Sequence, residues 1–258
     1  MFRAVAGTIG LFFLASCAMT PPVSSAARAQ IAPTGTLRAG VNFGNPVVAS
    51  KDPVTGELRG VPVDLVREAG RRLGVPVEII GFDIAAKIFD ALLAGTIDVG
   101  TLAYDSGRDD ILSFTGGYVR VEATYLVPPG SPIKTVADVD REGVRVGVSA
   151  NSAYQLYLGR TFEHAQLVGG QGVPGTAQML YAGKVDVMAA QKHQLETAAQ
   201  KMPGSRVLDG YFLVIEQTLA IPKGRDAAIQ YLRDIVEEGR AAGFVTKSAS
   251  SDAPAAAR

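Results

Sequence analysis

Two pairs of segments repeat in the same order along this chain. "LRAGVN" (37–42) is echoed by "VRVGVS" (144–149), and "LLAGTIDV" (92–99) by "LYAGKVDV" (180–187). The first member of each pair reads as an apolar strand ending in a turn. The second reads as a helix end, a glycine stop (Gly95, Gly183) and a new strand, because glycine takes the left-handed conformation of a helix C-terminus without a steric penalty. Any α/β chain produces helix-glycine-strand joints. Two echoes in matched order add a further constraint: the chain is expected to fold as two lobes of similar βα construction.

The segments between these marks alternate in the same way. "PVDLVREAGRRL" (62–73) puts Leu65, Val66, Ala69 and Leu73 on one helical face, with Pro62 suited to the first turn and Gly74 to the stop. Asp83 is placed to cap a helix whose apolar face is Ile84, Ile88, Phe89, Leu92 and Leu93. "TVAD" (135–138) has the form of a capping box, and Asn151 and Ser152 can cap a helix running to about Arg160. "TAQMLYA", "KHQLETAAQK" and 226–243 supply further helices, the last with Ile229, Leu232, Ile235 and Val236 inward. Such alternation predicts an α/β fold, mainly parallel sheets with helices on both faces.

Two stretches break the pattern. "EATYLVPPG" (122–130) and "YFLVIEQTLAIPKG" (211–224) are extended, β-rich and end in Pro or Gly. They bracket the second echo unit. If both cross between lobes, lobe 1 comprises 35–128 plus 217–247, lobe 2 comprises 131–215, and the pair forms a hinge above a cleft.

The two ends read differently. After Arg3 comes "AVAGTIGLFFLAS", 13 apolar-rich residues. A bilayer span needs about 20, so this length suits the core of an export signal. The run ends in "LASC", which resembles a bacterial lipoprotein signal with Cys17 as the lipidated residue; cleavage after 29, following "ARA", is the alternative exit. Residues 18–34 are expected to be a flexible tether and 248–258 a disordered tail. Cys17 is the only cysteine, so no internal disulfide is available. Basic and acidic residues balance at 25 each with no like-charge block, which argues against a nucleic-acid partner.

Ligands of open α/β sheets sit beyond the carboxyl ends of the parallel strands. Arg108 follows the strand "IDVGTLA" and so stands at such an end. Asn151 and Ser152 follow "VRVGVS" and open a helix, where backbone N–H groups and the helix dipole favour an anion. Arg108 is therefore either a solvated cation paired with Asp109 or Asp110, or one jaw of an anion site whose other jaw is the helix tip. A guanidinium suits that role because its planar fork matches a carboxylate.

The chain resembles the bacterial extracellular solute-binding proteins of the family typified by polar-amino-acid binders. The resemblance spans roughly 35–247 and rests on "GTLRAGVN", "GELRGVPVDLVREAGRRLGVPVEI", "FDALLAGTIDVGTLAYDSGRDDILSFTGGY", "KTVADVDREGVRVGVSANSAYQLYL" and "LYAGKVDVMAA". It implies the two-lobed periplasmic binding protein-like fold of type II, with a two-strand hinge. It also implies a periplasmic or lipid-anchored monomer that hands a small anionic or zwitterionic ligand to a separate ABC permease, with no cofactor and no metal. By that resemblance Arg108 binds the ligand carboxylate and Ser152 assists from the other lobe.

The chain also departs from the pattern. Amino-acid binders of the family usually carry an aspartate where this sequence has Gln191. The hydroxyl-rich segment before the arginine is Ala103-Tyr104-Asp105, positions 85–86 are Ala-Ala, and the turn after the first strand keeps a single aromatic, Phe43. Either the ligand lacks an α-ammonium and Gln191 meets a neutral polar group, or Asp105 receives the ammonium from lobe 1.

"GQGVPG" (170–175) matches a dinucleotide-binding spacing, but as a lone match with Pro174 inside it is set aside. His164 and His193 lack metal-ligand partners at useful spacing and are expected at the surface. Asp64, Asp98 and Asp186 read as structural, and Tyr118 as core or hinge packing. Besides an importer component, a ligand-sensing receptor and a cyclohexadienyl-dehydratase-like enzyme share this fold; the latter needs a general acid in the cleft.

Overall fold

The computed structural model describes residues 24–43 and 48–241. The export signal, Cys17 and the 248–258 tail lie outside them. The echo seen in the sequence is a structural repeat. In lobe 1, β1 (Leu37–Asn42) lies between β4 (Val77–Phe82) and β5 (Val99–Ala103), all parallel. In lobe 2, β8 (Arg145–Ser149) lies between β9 (Gln166–Gly170) and β10 (Val187–Gln191), again parallel. Each set runs second-first-third, and each is extended by an antiparallel strand: β12 (Leu213–Pro222) beside β5, and β7 (Val119–Val127) beside β10.

Those two antiparallel strands are the extended stretches singled out above. Gln217–Ala220 of β12 pairs with β5, while Leu213–Gln217 pairs with Val119–Ala123 of β7; Ala123–Leu126 of β7 then pairs with β10. The result is one continuous ten-stranded sheet in the order β4-β1-β5-β12-β7-β10-β8-β9, with β6 (Leu112–Phe114) and β11 (Arg206–Val207) as side branches. A separate short hairpin joins β2 (Ser50–Lys51) to β3 (Leu58–Arg59).

Helices cover both faces of each half. α2 (Val61–Leu73) ends on Gly74 at φ 65, and α7 (Asp226–Ala241) packs Ile229, Leu232, Ile235 and Val236 into the lobe 1 core with Leu65, Val66 and Ala69. α3 (Ala85–Leu93) packs Ile88 and Leu92 on the other face. Asp83 does not cap it; the cap residue is Ile84, and Asp83 pairs with Lys87 one turn on. In lobe 2, α4 (Ala153–Thr161), α5 (Gly172–Tyr181) and α6 (Lys192–Ala199) enclose a core built on Val146, Val148, Val187 and Met188. Thr135 and Asp138 form the expected capping box, on a short 3-10 turn.

The same clasp holds each repeat. Arg38 of β1 donates its backbone N–H, Nε and Nη2 to the Asp98 carboxylate at 3.0, 2.9 and 2.7 Å. Arg145 of β8 does the same to Asp186 at 2.9, 2.9 and 2.8 Å. Both aspartates are structural, as their sequence positions suggested. Tyr118 is buried in the lobe 1 core.

The tether expectation needs correction. Residues 25–31 form a helix, α1 (Ser25–Ile31), capped by Ser24. Its Ala27 and Ile31 are buried, and Gln30 accepts from Arg225 and from the Ala228 backbone at the start of α7. "SSAARAQI" lacks an apolar repeat long enough to signal a helix; the contact with α7 stabilises it.

Candidate functional site

The parallel strands of both lobes point their carboxyl ends into one cleft below the β7–β12 crossing. Asn42 ends β1, and its N–H donates to Thr101 Oγ1 of β5 at 3.1 Å. Asp83, Ile84 and Ala85 follow β4; Ala103 ends β5. Lobe 2 contributes Ser149 and Ser152 after β8, Gly172 and Val173 after β9, and Gln191 and Gln194 after β10. Ile215 and Gln217 of the hinge strand close the back. The cavity they line is about 60 Å³. Larger grooves, of about 590 Å³ between α2 and α7 and about 720 Å³ on the back of lobe 2, are open and lie away from these strand ends.

Lobe 2 enters the site through helix tips. Ser152 caps α4, accepting from the Gln155 N–H at 3.2 Å and donating to Ser149 O at 2.7 Å. Asn151 takes the left-handed conformation at φ 56, and its N–H goes to Gln155 Oε1 at 2.6 Å. The Ser152 N–H goes to Ser149 O. The two amides expected to receive an anion are therefore occupied. The next two, of Ala153 and Tyr154, have no acceptor among the described residues, and both residues line the cavity. Gln191 caps α6 in a reciprocal box with Gln194.

Arg108 is not a surface cation. It is 6% exposed, and no carboxylate pairs with it among the described residues. Asp109 instead accepts from the Tyr104 hydroxyl at 3.0 Å. The guanidinium stacks 4.8 Å from the centre of the Phe89 ring and donates through Nη2 to Asn151 O of the other lobe at 2.7 Å. Burial pushes its pKa down, against the supporting field of Asp105.

Asp105 is also committed across the cleft. Its carboxylate, only 4% exposed, accepts from Arg160 of α4 at 2.7 and 3.1 Å and caps a second 3-10 turn, Ser106–Arg108, through the Gly107 N–H. That engagement counts against Asp105 as an ammonium receiver. Arg160, in the last turn of α4, carried no signal in the sequence. The pair links the lobes when the cleft is shut, and opening would hydrate both partners. Replacing Arg160 with alanine would make closure bury the Asp105 charge without its hydrogen-bonded partner, offset only by the field of Arg108. We expect a larger radius of gyration for the unliganded protein by small-angle scattering, and ligand affinity lower by about tenfold, because apparent affinity scales with the closed fraction. An unchanged radius and affinity would show the pair to be inert.

Of the residues anticipated from sequence, Ala103, Ser152 and Gln191 line the cavity, whereas Arg108, Asn151 and Asp105 lie outside that lining and make contacts between the lobes. Phe43 does neither: its ring packs on Gly81 and on the Val41, Ala49 and Val63 cluster. Asn42, Thr101, Gln194 and Gln217 were not anticipated. The set-aside "GQGVPG" is the β9–α5 turn, with Gly172 at φ 65 and Pro174 in the helix's first turn. His193 is half-buried outside the cavity lining, and burial lowers its pKa to about 4; His164 is exposed. Among the described residues no cluster of His, Cys, Asp or Glu could hold a metal, and no helix is long and apolar enough to cross a membrane.

The sequence pattern of the bacterial extracellular solute-binding proteins, family 3, matches residues 37–249. The glutamine-binding protein of Geobacillus stearothermophilus is 24% identical over 187 residues, 71% of each chain. An amino acid ABC transporter substrate-binding protein from Streptococcus pneumoniae, solved bound to L-arginine, superposes with a TM-score of 0.73 at 17% identity, covering 89% of this chain and 98% of that one. The ancestral amino acid-binding protein AncCDT-1, a precursor of cyclohexadienyl dehydratase, gives 0.69 at 21% identity, covering 86% and 96%.

Proposed function

This chain belongs to the bacterial extracellular solute-binding proteins, family 3, and from that premise we propose that it captures a small carboxylate-bearing solute, an amino acid or related organic acid, and delivers it to an ABC importer by hinge closure. One observation carries the carboxylate: a buried guanidinium, Arg108, with no carboxylate partner among the described residues, held against the Asn151 carbonyl of the other lobe. An unpaired buried cation is costly, and an anion entering beside it removes that cost. The ligand would draw Arg108 from Asn151 O and meet the Ala153 and Tyr154 amides at the tip of α4.

Closure needs a ligand that binds the shut form better. Shifting 1:99 to 99:1 takes about 5.5 kcal/mol, and charge-assisted hydrogen bonds at about 1.5–3 kcal/mol each supply this with two to four contacts. Delivery to a permease is supported by the similarity to importer components. Export is supported by the extracellular character of the family and by the apolar leader. A lipid on Cys17 rests on "LASC" alone. Cleavage after 29 would cut α1 within its helix and remove its cap, which favours the upstream site.

The dehydratase reading requires a proton donor in the cavity. Among the described residues the sole lining carboxylate, Asp83, is solvent-exposed and paired with Lys87. Burial raises the pKa of Tyr154, and His193 lies outside the lining. These features favour binding over turnover. The test is a thermal-shift panel of carboxylates on the purified protein: at least one is expected to raise the melting temperature, since a ligand of the native state alone stabilises it. If no carboxylate does, the reading fails.

A further inference from the structure

Building on the carboxylate-capture reading, we infer that the preferred ligand is a compact mono-acid whose second polar substituent is uncharged, of the 2-hydroxy or 2-oxo class, and not a zwitterion or a cationic amino acid. The cavity of about 60 Å³ has room for about four water-sized groups. Among the described residues its polar lining is neutral apart from Asp83, and includes Thr101, Ser149, Ser152, Gln191, Gln194 and Gln217. The one lining carboxylate, Asp83, is 68% exposed and held by Lys87 at 2.8 Å. The nearby buried carboxylate, Asp105, has both oxygens on Arg160.

The charge balance follows. Arg108 supplies one buried positive charge, and one ligand carboxylate cancels it. An α-ammonium would restore a net positive charge inside a closed cleft whose lining, among the described residues, offers it no free carboxylate. A guanidinium or ammonium side chain would add to it. Buried unpaired charge is among the most expensive arrangements in a protein interior. A hydroxyl or carbonyl in the same place carries no charge. Carboxamides and hydroxyls both donate and accept, so the lining can satisfy either group, whereas an ammonium can only donate.

The test is calorimetry on matched triads that share a carbon skeleton and differ only at C2, as L-alanine, L-lactate and pyruvate do, extended over the skeletons of the uncharged amino acids with L-arginine as the cationic probe. For the tightest-binding skeleton, the hydroxy or oxo acid is expected to bind at least about tenfold more tightly than the amino acid, and L-arginine weakly. An amino acid that outbinds its deaminated partners overturns this inference and leaves carboxylate capture standing. Failure of every acid overturns both. Gln191→Asp provides a second measurement. Aspartate is a favoured helix cap, so α6 is retained, while a carboxylate enters the cavity. The ratio of amino acid to hydroxy acid affinity is expected to rise at least about 30-fold, and an unmoved ratio would overturn the inference.

Discussion

Replacing Arg108 with leucine is expected to weaken ligand binding at least 100-fold, about 2.8 kcal/mol, without lowering the stability of the unliganded protein. The two halves of this expectation come from the same geometry. A guanidinium gives a carboxylate two parallel charge-assisted bonds, and leucine gives none. Arg108, however, is 6% exposed, and among the described residues its guanidinium donates only to the Asn151 carbonyl. Its desolvation is met only in part by the Phe89 ring and by the field of Asp105, whose oxygens belong to Arg160. Exchanging an under-compensated buried charge for an apolar side chain is often neutral or stabilising. Titration calorimetry and thermal melting of the same variant check both halves. Arg108→Lys should fall between, since it keeps the charge and loses the fork. A leucine variant that binds as tightly as the wild type would place the carboxylate elsewhere.

The second large effect is structural and rests on the duplicated clasp. Asp98→Ala is expected to destabilise the protein by about 3–5 kcal/mol, and Asp186→Ala by about 1 kcal/mol or less. The bonds are nearly superimposable: backbone N–H, Nε and Nη2 of Arg38 or Arg145 to one carboxylate. The surroundings differ. The Asp98 side chain is 1% exposed, while that of Asp186 is 40% exposed. Removing Asp98 strands the inner end of Arg38 and a β1 amide away from water. Removing Asp186 lets solvent replace it, and Arg145 also keeps the Gly183 carbonyl. Pairing with arginine holds the Asp186 carboxyl below its ordinary pKa. Its contribution is therefore full above the unfolded-chain value of about 3.9 and is lost as the pH falls from there through the lower pKa of the folded state. Urea unfolding of the two variants at neutral pH compares them directly. Equal losses would mean that burial does not set the difference.

The repeat was legible because it is written in strongly patterned segments. "LRAGV" and "VRVGV", each followed by a helix-glycine-strand joint, predicted two equivalent units, and the strand order second-first-third recurs in both. Gly74, Gly95 and Gly183 take φ near 65, which explains why those stops could be read from sequence. The site was legible only in part. Arg108, Ser152 and Gln191 stand at strand ends or helix caps, where local sequence carries meaning. Gln217 faces the cavity from within a hinge strand, and Thr101 from within β5; nothing in alternating strand patterns says which polar residue faces a cleft. Asp105–Arg160 joins residues 55 apart on different lobes, so neither position alone signals the pair. α1 escaped for the same reason, being stabilised by α7 at the far end of the chain.

The unbroken ladder from β5 through β12 and β7 to β10 gives the molecule a spine instead of a string. A slack connector would let the two bodies tumble freely, and each capture would have to recover that lost orientational freedom. Paired strands permit flexing about one axis and resist the rest. Much of the alignment needed to shut around a solute is thus built in before any solute arrives.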